Sequence, residues 1–375
     1  MSNVIESPLT EAKSLTADAV ASDQYWMQQA LALAKRGQYT TRPNPAVGCV
    51  LVKDGQLIGA GFHPKAGQPH AEVFALRQAA EQAHAQIKGA TAYVTLEPCA
   101  HFGRTPPCAN ALIEAGVARV VMASLDTNPQ VAGIGRARLE AAGIATTVGV
   151  CEAEARALNA GFLQVMAGGR PYVRLKVAAS LDGRTAMSSG ESKWITGAAA
   201  RAEVQHWRAI SGAVVTGIGT ILADDPLLNV RAVADGTPLA EIPQPLRVVL
   251  DRQGRMPADA QLLQQSDSVL LVGAAQLAGV ETWPEIPLAD LLNRLRDDKQ
   301  IRDVLVEAGA TLGAAFLQAG LVDELIVYLA PTLLGSAARP MFSLPLMQMA
   351  QQLRFDLVEM QPVGDDIRLI LRPRR

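Results

Sequence analysis

The chain is poor in cysteine and in aromatic residues, with four cysteines and 4% aromatics in 375 residues. Four cysteines in so long a chain do not make a disulfide framework, which excludes the small disulfide-stapled secreted folds. No run approaches the roughly 18 apolar residues that a membrane-spanning helix needs. Residues 1–22 also lack the apolar centre of a signal peptide. We therefore expect a cytoplasmic protein with a flexible tail over residues 1–22 and no membrane partner.

Concentrated positive charge is also missing. Lysine and arginine number 34 against 36 acidic residues, which gives a net charge of −2, and no basic block or tail is present. Proteins that bind long nucleic acids need a basic surface, so no nucleic-acid partner is expected. A small anionic substrate needs only a few local cations. The chain contains no G-x-G-x-x-G, so a standard Rossmann cofactor site is not supported.

The length of the chain predicts two domains, because single cores stop growing beyond roughly 250–300 residues. Apolar residues make up 49% of the chain, enough for well-packed α/β layers. The segment Ala167-Gly168-Gly169-Arg170-Pro171 interrupts the pattern of alternating elements, and its glycines and proline mark a break. We predict a first domain over residues 23–167 and a second over 171–375. No internal repeat relates them, which indicates a fusion of unlike domains.

Hydrophobic periodicity predicts strands that alternate with helices in both halves. Such alternation indicates a three-layer α/β arrangement in the first domain and a second α/β domain after it. In the first half we predict a helix over 25–36, a hairpin over 47–61, a helix over 72–85, and alternating elements up to residue 150. In the second half, strands are predicted at 172–179, 213–217, 246–251, 268–273, 303–307 and 324–329, and helices at 199–210, 288–296 and 312–319.

The most informative pattern is His70-Ala71-Glu72, followed by Pro98-Cys99 and then Cys108. One imidazole and two thiolates leave a fourth zinc position open, which is typical of a catalytic site. Zinc lowers the pKa of a bound water, and the carboxylate of Glu72 can move protons to and from it. An H-x-E followed by P-C and a second cysteine is the signature of zinc-dependent base deaminases. A closed structural site with His101 as fourth ligand is the alternative.

The eight residues between the cysteines separate this chain from nucleoside and tRNA deaminases, which typically have two. The insert ends in Gly103-Arg104-Thr105-Pro106-Pro107-Cys108. With it go residues 41–48 (TRPNPAVG), Gly61-Phe62-His63 and Asp126-Thr127-Asn128-Pro129. Together these motifs closely resemble the deaminase domain of the bifunctional riboflavin biosynthesis family, RibD, over nearly all of residues 25–160. The resemblance implies a cytidine-deaminase-like three-layer α/β/α fold.

The resemblance assigns roles to particular side chains of the first half. It implies that His70, Cys99 and Cys108 bind one Zn²⁺ and that Glu72 is the catalytic proton shuttle. It implies substrate contacts for Asn44, His63, His101, Arg104, Asp126 and Asn128. Four of these contacts have a plain structural alternative: Asn44 as a turn former, His63 as a surface histidine, and Asp126 and Asn128 as turn caps. Arg104 stands where relatives often have lysine, and either cation can meet a phosphate.

The second half carries several segments that are weak alone but informative in their order. They are residues 176–183 (KVAASLDG), 192–197 (SKWITG), Arg208, 217–220 (GIGT), 224–228 (DDPLL) and Arg231. They resemble the reductase domain of the same family, which shares the fold of dihydrofolate reductase, from about residue 171 to 373. One departure is Ala308, where relatives usually have a glycine. Its methyl group could narrow the approach to the nicotinamide ribose or phosphates.

This second resemblance implies NADPH as the hydride donor. It implies substrate contacts for Lys176, Ser180, Trp194, Arg208, Asp225, Leu228, Arg231 and Glu307, and cofactor contacts for Ala178, Trp194, Thr196, Thr220 and Gly309. The alternatives are a core position for Trp194, a solvated helix charge for Arg208, and turn positions for Asp225 and for residues 217–220.

The sequence therefore predicts a bifunctional enzyme of riboflavin biosynthesis. The first domain would hydrolyse the ring amino group of a phosphoribosylated pyrimidine, and the second would use NADPH to reduce the ribosyl side chain to ribityl. A homodimer is expected from the apolar faces of dihydrofolate-reductase-like domains. Deamination within a duplex is disfavoured by the net charge and the scarce aromatics. A zinc-stabilised binding protein is the alternative from another class, and the presence of Glu72 counts against it.

Overall fold

A computed structural model describes residues 17–83, 87–100, 106–129 and 131–374. The first domain is built on a five-stranded sheet in the order β2-β1-β3-β4-β5, in which β1, β2 and β3 pair antiparallel and β3, β4 and β5 pair parallel. The strands are β1 (Gly48–Lys53), β2 (Gln56–Phe62), β3 (Thr91–Val94), β4 (Arg119–Met122) and β5 (Ala145–Val148).

Helices cover both faces of this sheet, so the predicted three-layer arrangement is confirmed. The helices are α1 (Ala17–Lys35), α2 (Ala71–Ala83), α3 (Cys108–Glu114), α4 (Ile134–Ala141), α5 (Glu152–Leu158) and α6 (Ala160–Met166). One apolar cluster joins the sheet to α2, α3 and α4, and a second joins it to α1 and α5. Helix α1 begins at Ala17, eight residues before the predicted helix and within the segment expected to be a flexible tail; residues 1–16 lie outside the described ones.

The second domain contains a nine-stranded sheet in the order β11-β10-β9-β8-β12-β6-β13-β16-β15, with a small β7–β14 ribbon beside it. The strands are β6 (Tyr172–Ser180), β7 (Arg184–Ala186), β8 (Ala213–Gly217), β9 (Leu246–Asp251), β10 (Val269–Gly273), β11 (Glu281–Trp283), β12 (Asp303–Glu307), β13 (Glu324–Ala330), β14 (Arg339–Pro340), β15 (Phe355–Val363) and β16 (Asp366–Pro373). The seven strands from β11 to β13 in this spatial order pair parallel with their neighbours. Strand β16 pairs antiparallel with β13, and β15 pairs antiparallel with β16.

The helices of this domain are α7 (Ala198–Ile210), α8 (Ile218–Asp224), α9 (Leu288–Lys299) and α10 (Ala310–Gln318). Helices α9 and α10 pack on one face of the sheet and α7 and α8 on the other, each over its own apolar cluster. All six predicted strands and three predicted helices are confirmed within two residues at nearly every end. Helix α8 was missed, and so were the short strands β7, β11 and β14 and the C-terminal strands β15 and β16; of these, β15 is mostly exposed.

The two domains contact each other directly. Tyr39 of the first domain packs with Ala209, Val230 and Ile242 of the second, and its hydroxyl lies 2.8 Å from Nδ1 of His206. Among the described residues, no helix is long and apolar enough to cross a membrane.

Candidate active sites

The three predicted metal ligands lie together at the ends of two helices of the first domain. His70 directly precedes α2, and Cys108 is the first residue of α3. The imidazole Nδ1 of His70 lies 3.6 Å from Sγ of Cys99 and 3.4 Å from Sγ of Cys108. The three ligand atoms all lie within 4.8 Å of one another. One imidazole and two thiols at this spacing are a donor set that suits zinc.

The packing of α2 against β2 brings His70 into this position. A Cβ at Gly61 would lie 2.5 Å from the carbonyl oxygen of Ala71 and 2.6 Å from the nitrogen of Ala75. A side chain there would push the start of α2 away from the sheet, and His70 and Glu72 would move with it. The sequence Gly61-Phe62-His63 is therefore partly a packing requirement.

The two thiols differ in acidity because they share hydrogen bonds. Hydrogen bonds from the Cys108 thiol, from His70 and from the backbone N–H of Cys108 hold the pKa of Cys99 well below its usual range. Donation to Cys99 and burial raise the pKa of Cys108. The hydrogen bond to Cys99 also raises the pKa of His70. A thiolate therefore forms readily at this cluster, and thiolate is the form that binds metal.

Glu72 lies in the first turn of α2 beside the cluster, with only 3% of its surface exposed. Burial, with the charge of Cys99 adding to it, raises the pKa of this carboxyl to about 7. Its Oε2 has no hydrogen-bond partner among the described residues. A buried carboxyl that can both take and release a proton near neutral pH suits general acid–base chemistry at an adjacent ligand.

His63 and Asn44 lie next to the three candidate zinc ligands and contact each other. Nε2 of His63 lies 3.2 Å from Nδ2 of Asn44, and Nδ1 lies 3.0 Å from the carbonyl oxygen of Pro69. The Nδ1–H therefore donates to that carbonyl, and Nε2 accepts from the amide of Asn44. The ring packs edge-on against His70 at 5.3 Å, and burial lowers its pKa. His63 is buried, so the surface-histidine alternative is wrong.

Asp126 and Asn128 lie in the loop after β4. The Oδ1 of Asp126 accepts the backbone N–H of Asn128 at 2.8 Å. Asp126 therefore caps a turn, which is the alternative to a substrate contact that the sequence left open. A residue that the sequence reasoning missed holds this loop. Buried Glu97 accepts backbone N–H groups from Asp126 at 3.2 Å, Gly133 at 3.0 Å and Arg136 at 3.0 Å. Its place directly before Pro98-Cys99 was the available signal. His101 and Arg104 lie outside the described residues.

The second domain has a cavity of about 1860 Å³ at the carboxyl ends of its parallel strands. Open α/β sheets bind their ligands at this edge. Of the predicted residues, ten line the cavity: Lys176, Ala178, Trp194, Thr196, Arg208, Thr220, Leu228, Arg231, Glu307 and Gly309.

Glu307 is the centre of a buried charge cluster in the cavity wall. Strand pairing sets Glu307 directly beside Lys176, whose Nζ lies 3.3 Å from Oε2. Arg208 donates from Nε to Oε1 at 2.6 Å and from Nη2 to Oε2 at 3.0 Å. Burial alone would raise the pKa of Glu307, but Arg208 and Lys176 hold it at about 2. Arg208 is buried, so its reading as a solvated helix charge is wrong.

Two glycines leave the backbone open towards the cavity. Gly309 caps α10 and Gly219 lies in the first turn of α8, and a Cβ at either would meet no atom within 4 Å. Ala308, the departure noted above, also lines the cavity. Residues 217–220 begin a helix, so the tight-turn alternative is wrong. A dinucleotide could approach the backbone closely here, as phosphate groups require.

Trp194 is 69% exposed, so the core alternative for it is wrong; its ring faces the guanidinium of Arg201 at 4.5 Å.

Ser180 and Asp225 do not form the cavity wall. The hydroxyl of Ser180 bonds within the turn after β6, to Asp182 at 2.5 Å and to the N–H of Arg184 at 3.0 Å. Asp225 follows α8 with a φ of 42° and accepts the N–H of Gln261 at 2.8 Å. Asp225 therefore occupies a turn position, which is the alternative stated for it in the sequence analysis.

Several cavity residues were missed because they belong to no motif. Arg252, Gln253 and Arg255 follow β9, and Arg252 pairs with Glu285 at 2.5 Å. The predicted strand over 246–251 could have indicated them, because residues that follow a parallel strand lie at the ligand-binding edge.

Comparison with known proteins gives one family match in each half of the chain. The family model described as the RibD C-terminal domain matches residues 171–369, and the cytidine and deoxycytidylate deaminase zinc-binding region matches residues 20–124. The riboflavin biosynthesis protein RibD of Escherichia coli K12 is 50% identical over 93% of this chain and 99% of its own length. The RibD of Haemophilus influenzae is 50% identical over 94% and 98%.

Solved structures agree as well. Acinetobacter baumannii RibD (form 1) superposes with a TM-score of 0.89 at 60% identity, covering 95% of this chain and all of that one. A Thermotoga maritima diaminohydroxyphosphoribosylaminopyrimidine deaminase/5-amino-6-(5-phosphoribosylamino)uracil reductase gives 0.85 at 34% identity, covering 95% and 99%. The fold class is confirmed in both halves. With its zinc-type deaminase domain and its reductase domain in one polypeptide, the chain belongs to the RibD family of bifunctional riboflavin biosynthesis enzymes.

Proposed function

We propose that this chain catalyses two consecutive reactions of riboflavin biosynthesis. The first is hydrolytic deamination of 2,5-diamino-6-ribosylamino-4(3H)-pyrimidinone 5′-phosphate. The second is NADPH-dependent reduction of the ribosyl side chain to ribityl, which gives 5-amino-6-ribitylamino-uracil 5′-phosphate. The observation that carries the proposal is the buried carboxyl of Glu72 beside the His70, Cys99 and Cys108 cluster, in a chain whose other domain has a charged cavity of about 1860 Å³.

In the deaminase reaction, water adds to the ring carbon, the carbon–nitrogen bond breaks and ammonia leaves. A zinc ion held by His70, Cys99 and Cys108 would supply the Lewis acidity that makes water a nucleophile near neutral pH. Glu72 takes the first proton of the attacking water at Oε2 and gives it to the ring nitrogen; it then moves the second proton, from the hydroxyl formed on the ring carbon, to the leaving amine. The raised pKa of Glu72 supports this exchange, because a carboxyl near pH 7 both accepts and donates.

The contacts of His63 and Asn44 support a substrate-orienting role. Their mutual hydrogen bond fixes the direction of both side chains beside the metal cluster. Asn44 has a further N–H and a carbonyl oxygen for the pyrimidine, since an amide carries two donors and one acceptor. Asp126, Asn128, His101 and Arg104 complete the proposed substrate contacts, with Arg104 meeting the phosphate and Asp126 acting through its turn.

In the reductase reaction, NADPH supplies a hydride and the solvent-exchangeable groups of the chain supply the proton. The cluster of Lys176, Arg208 and Glu307 supports binding of the opened sugar, because it offers a cation and a carboxylate to hydroxyl groups. We assign Trp194, Leu228 and Arg231 to the substrate as well, with Ser180 and Asp225 shaping the nearby turns. Ala178, Thr196, Thr220 and Gly309 are assigned to NADPH.

We place the domain boundary in residues 167–171, between α6 and β6, with the deaminase domain over 23–167 and the reductase domain over 171–375.

We also propose a homodimer. The exposed apolar residues of the edge strand β15 and the segment before it support this, among them Met347, Met349, Leu357 and Met360. The cysteines are free, and a reducing cytoplasm would keep Cys99 and Cys108 able to bind metal.

The decisive experiment adds the phosphoribosylated diaminopyrimidinone to the purified full chain and follows ammonia release and NADPH oxidation. Deamination alone is expected without NADPH, and NADPH oxidation is expected only after deamination. A chain that binds zinc but releases no ammonia would instead be a zinc-stabilised binding protein. Failure to oxidise NADPH with the deaminated compound would sink the reductase assignment.

A further inference from the structure

A second cavity, of about 440 Å³, lies between the two domains. Its wall includes Arg42 and Phe162 from the deaminase domain and Arg174, Trp207 and Arg302 from the reductase domain. The volume is within the range of small-molecule sites, which is roughly 300–1,000 Å³. It shares no lining residue with the large reductase cavity and none of the three candidate zinc ligands lines it, although Asn44, which we assign to the deaminase substrate, does.

Two arginines of this cavity, one from each domain, carry guanidinium nitrogens that are buried without a partner. They are Nε of Arg42 and Nη1 of Arg302. The remaining contacts of the two groups are uncharged: Arg42 donates from Nη2 to the carbonyl oxygen of Pro243, and Arg302 stacks over the ring of Phe162 at 4.7 Å. Neither arginine forms an ion pair within the described part of the chain.

The carboxylates of the same wall are already paired with other cations. Asp303 and Glu324 both contact Arg174, at 2.8 and 3.2 Å, and Glu359 contacts Arg368 at 2.7 Å. Arg42 and Arg302 are therefore left with a net positive charge in a partly dehydrated space. Burial lowers the pKa of Arg42 to about 10 and also lowers that of Arg302, with Asp303 opposing the effect at both. Asp303 is shared with Arg174, so it offsets only part of the cost of burying these two cations, and a bound anion would offset more of it.

We propose that the interdomain cavity binds a sugar phosphate, with the phosphate between Arg42 and Arg302. Phosphate suits this pair because guanidinium groups present planar sets of donors to its oxygens. The cavity exceeds the size of a free phosphate ion, and the rings of Phe162 and Trp207 line the remaining space. A sugar attached to the phosphate can pack there. Since the two arginines belong to different domains, the ligand would bridge the domains and stabilise their contact.

The test is calorimetric titration of the full-length protein with ribose 5-phosphate and, separately, with inorganic phosphate. We expect the wild-type chain to bind one more equivalent of ribose 5-phosphate than Arg42→Gln or Arg302→Gln. The control, Arg294→Gln, removes an exposed arginine that pairs with Asp298 on α9, and it should bind as the wild type does. Equal stoichiometry in all four proteins overturns the proposal. Affinity for ribose 5-phosphate should exceed that for inorganic phosphate at least tenfold; equal affinities overturn the assignment of a sugar phosphate.

Two further measurements keep the test decisive if a glutamine variant fails to fold. Arg302→Lys retains the positive charge but not the planar fork, so it should fold and bind at least several-fold more weakly than the wild type. A crystal structure of the wild-type protein with saturating ribose 5-phosphate should show the phosphate between the two guanidinium groups. An interdomain cavity without ligand under those conditions overturns the proposal.

Discussion

Arg208 makes a two-point contact with Glu307, from Nε to Oε1 at 2.6 Å and from Nη2 to Oε2 at 3.0 Å. The pair lies in the wall of the reductase cavity, and Lys176 joins it from the neighbouring strand. The geometry joins helix α7 to strand β12 through a buried charge pair. It also keeps Glu307 ionised, so that Lys176 faces the cavity beside a fixed negative charge.

Replacing Arg208 by methionine should destabilise the reductase domain by about 3–5 kcal/mol, because it leaves a buried carboxylate with one cation in place of two. Urea denaturation followed by circular dichroism measures this. The matched control is Arg374→Met, whose exposed pair with Asp356 should contribute less than about 1 kcal/mol.

In Glu307→Gln, NADPH oxidation should fall while ammonia release is retained. A variant with full reductase activity would exclude Glu307 from substrate binding.

Glu72→Gln should bind zinc as the wild type does and lose ammonia release by about 10²–10⁴-fold, because the amide cannot move protons. Metal analysis and an ammonia assay on the same preparation separate the two effects. Glu81→Gln is the control, since Glu81 lies exposed on the same helix. NADPH oxidation with the deaminated compound should be unchanged in both variants. Full deamination by Glu72→Gln would contradict the role assigned to this carboxyl.

Cys108→Ser should lower the zinc content and abolish deamination, because a neutral hydroxyl, a much weaker zinc ligand, replaces a thiolate that α3 holds in place. Cys151→Ser, at a half-buried cysteine outside the cluster, should keep both zinc and activity. Reductase activity should survive in both variants, since the reductase cavity lies in the other domain. Equal zinc content in the two variants would argue against the proposed ligand set.

The stability of the protein should fall as the pH is lowered from about 6.5 towards 4, in part through His206. Burial, followed by the charges of Arg174 and Arg368, lowers the pKa of this histidine to about 4 in the folded state. The unfolded chain therefore binds the extra proton in that range, and unfolding becomes more favourable by as much as about 3 kcal/mol. Above the ordinary pKa of histidine the effect is absent.

Urea denaturation of the wild type and of His206→Gln between pH 4.5 and 7.5 measures this contribution. The variant loses the contact with the hydroxyl of Tyr39, so its stability should be lower at pH 7.5. Its stability should also change less steeply with pH than that of the wild type. Parallel pH profiles for the two proteins would show that His206 does not titrate differently on folding.

Met360→Asp should convert the proposed dimer to monomer, because Met360 is 65% exposed on the edge strand β15, and a charge there would be costly to bury. Light scattering after size-exclusion chromatography gives the mass directly. Leu239→Asp, at an exposed leucine remote from β15 in the chain, is the control. A wild-type mass of one chain, about 39.7 kDa, would refute the dimer.

Local patterns in the sequence were sufficient for most of the secondary structure and for the metal cluster. Strands at 213–217, 246–251 and 303–307 follow from short apolar runs between breaks, and they match the structure at both ends. His70, Cys99 and Cys108 could be grouped because a histidine and two cysteines in one motif have few functions in common other than binding a metal. Strand β15 could not be found in this way, since an exposed edge strand has no buried face to impose an apolar alternation. Strand β16 lies between β13 and β15 and alternates buried with more exposed positions, so its residues did carry a local signal.

Short-range periodicity and residue chemistry were enough to predict two α/β domains, to propose a break between them and to single out the candidate zinc ligands. Which charges meet depends on the tertiary structure. It sets Glu307 between Lys176 and Arg208 and lets Glu97 accept backbone N–H groups of the loop after β4. It also places Arg42 and Arg302 in the wall of a cavity between the domains. These contacts join residues far apart in the chain, and their existence depends on packing that no local pattern specifies.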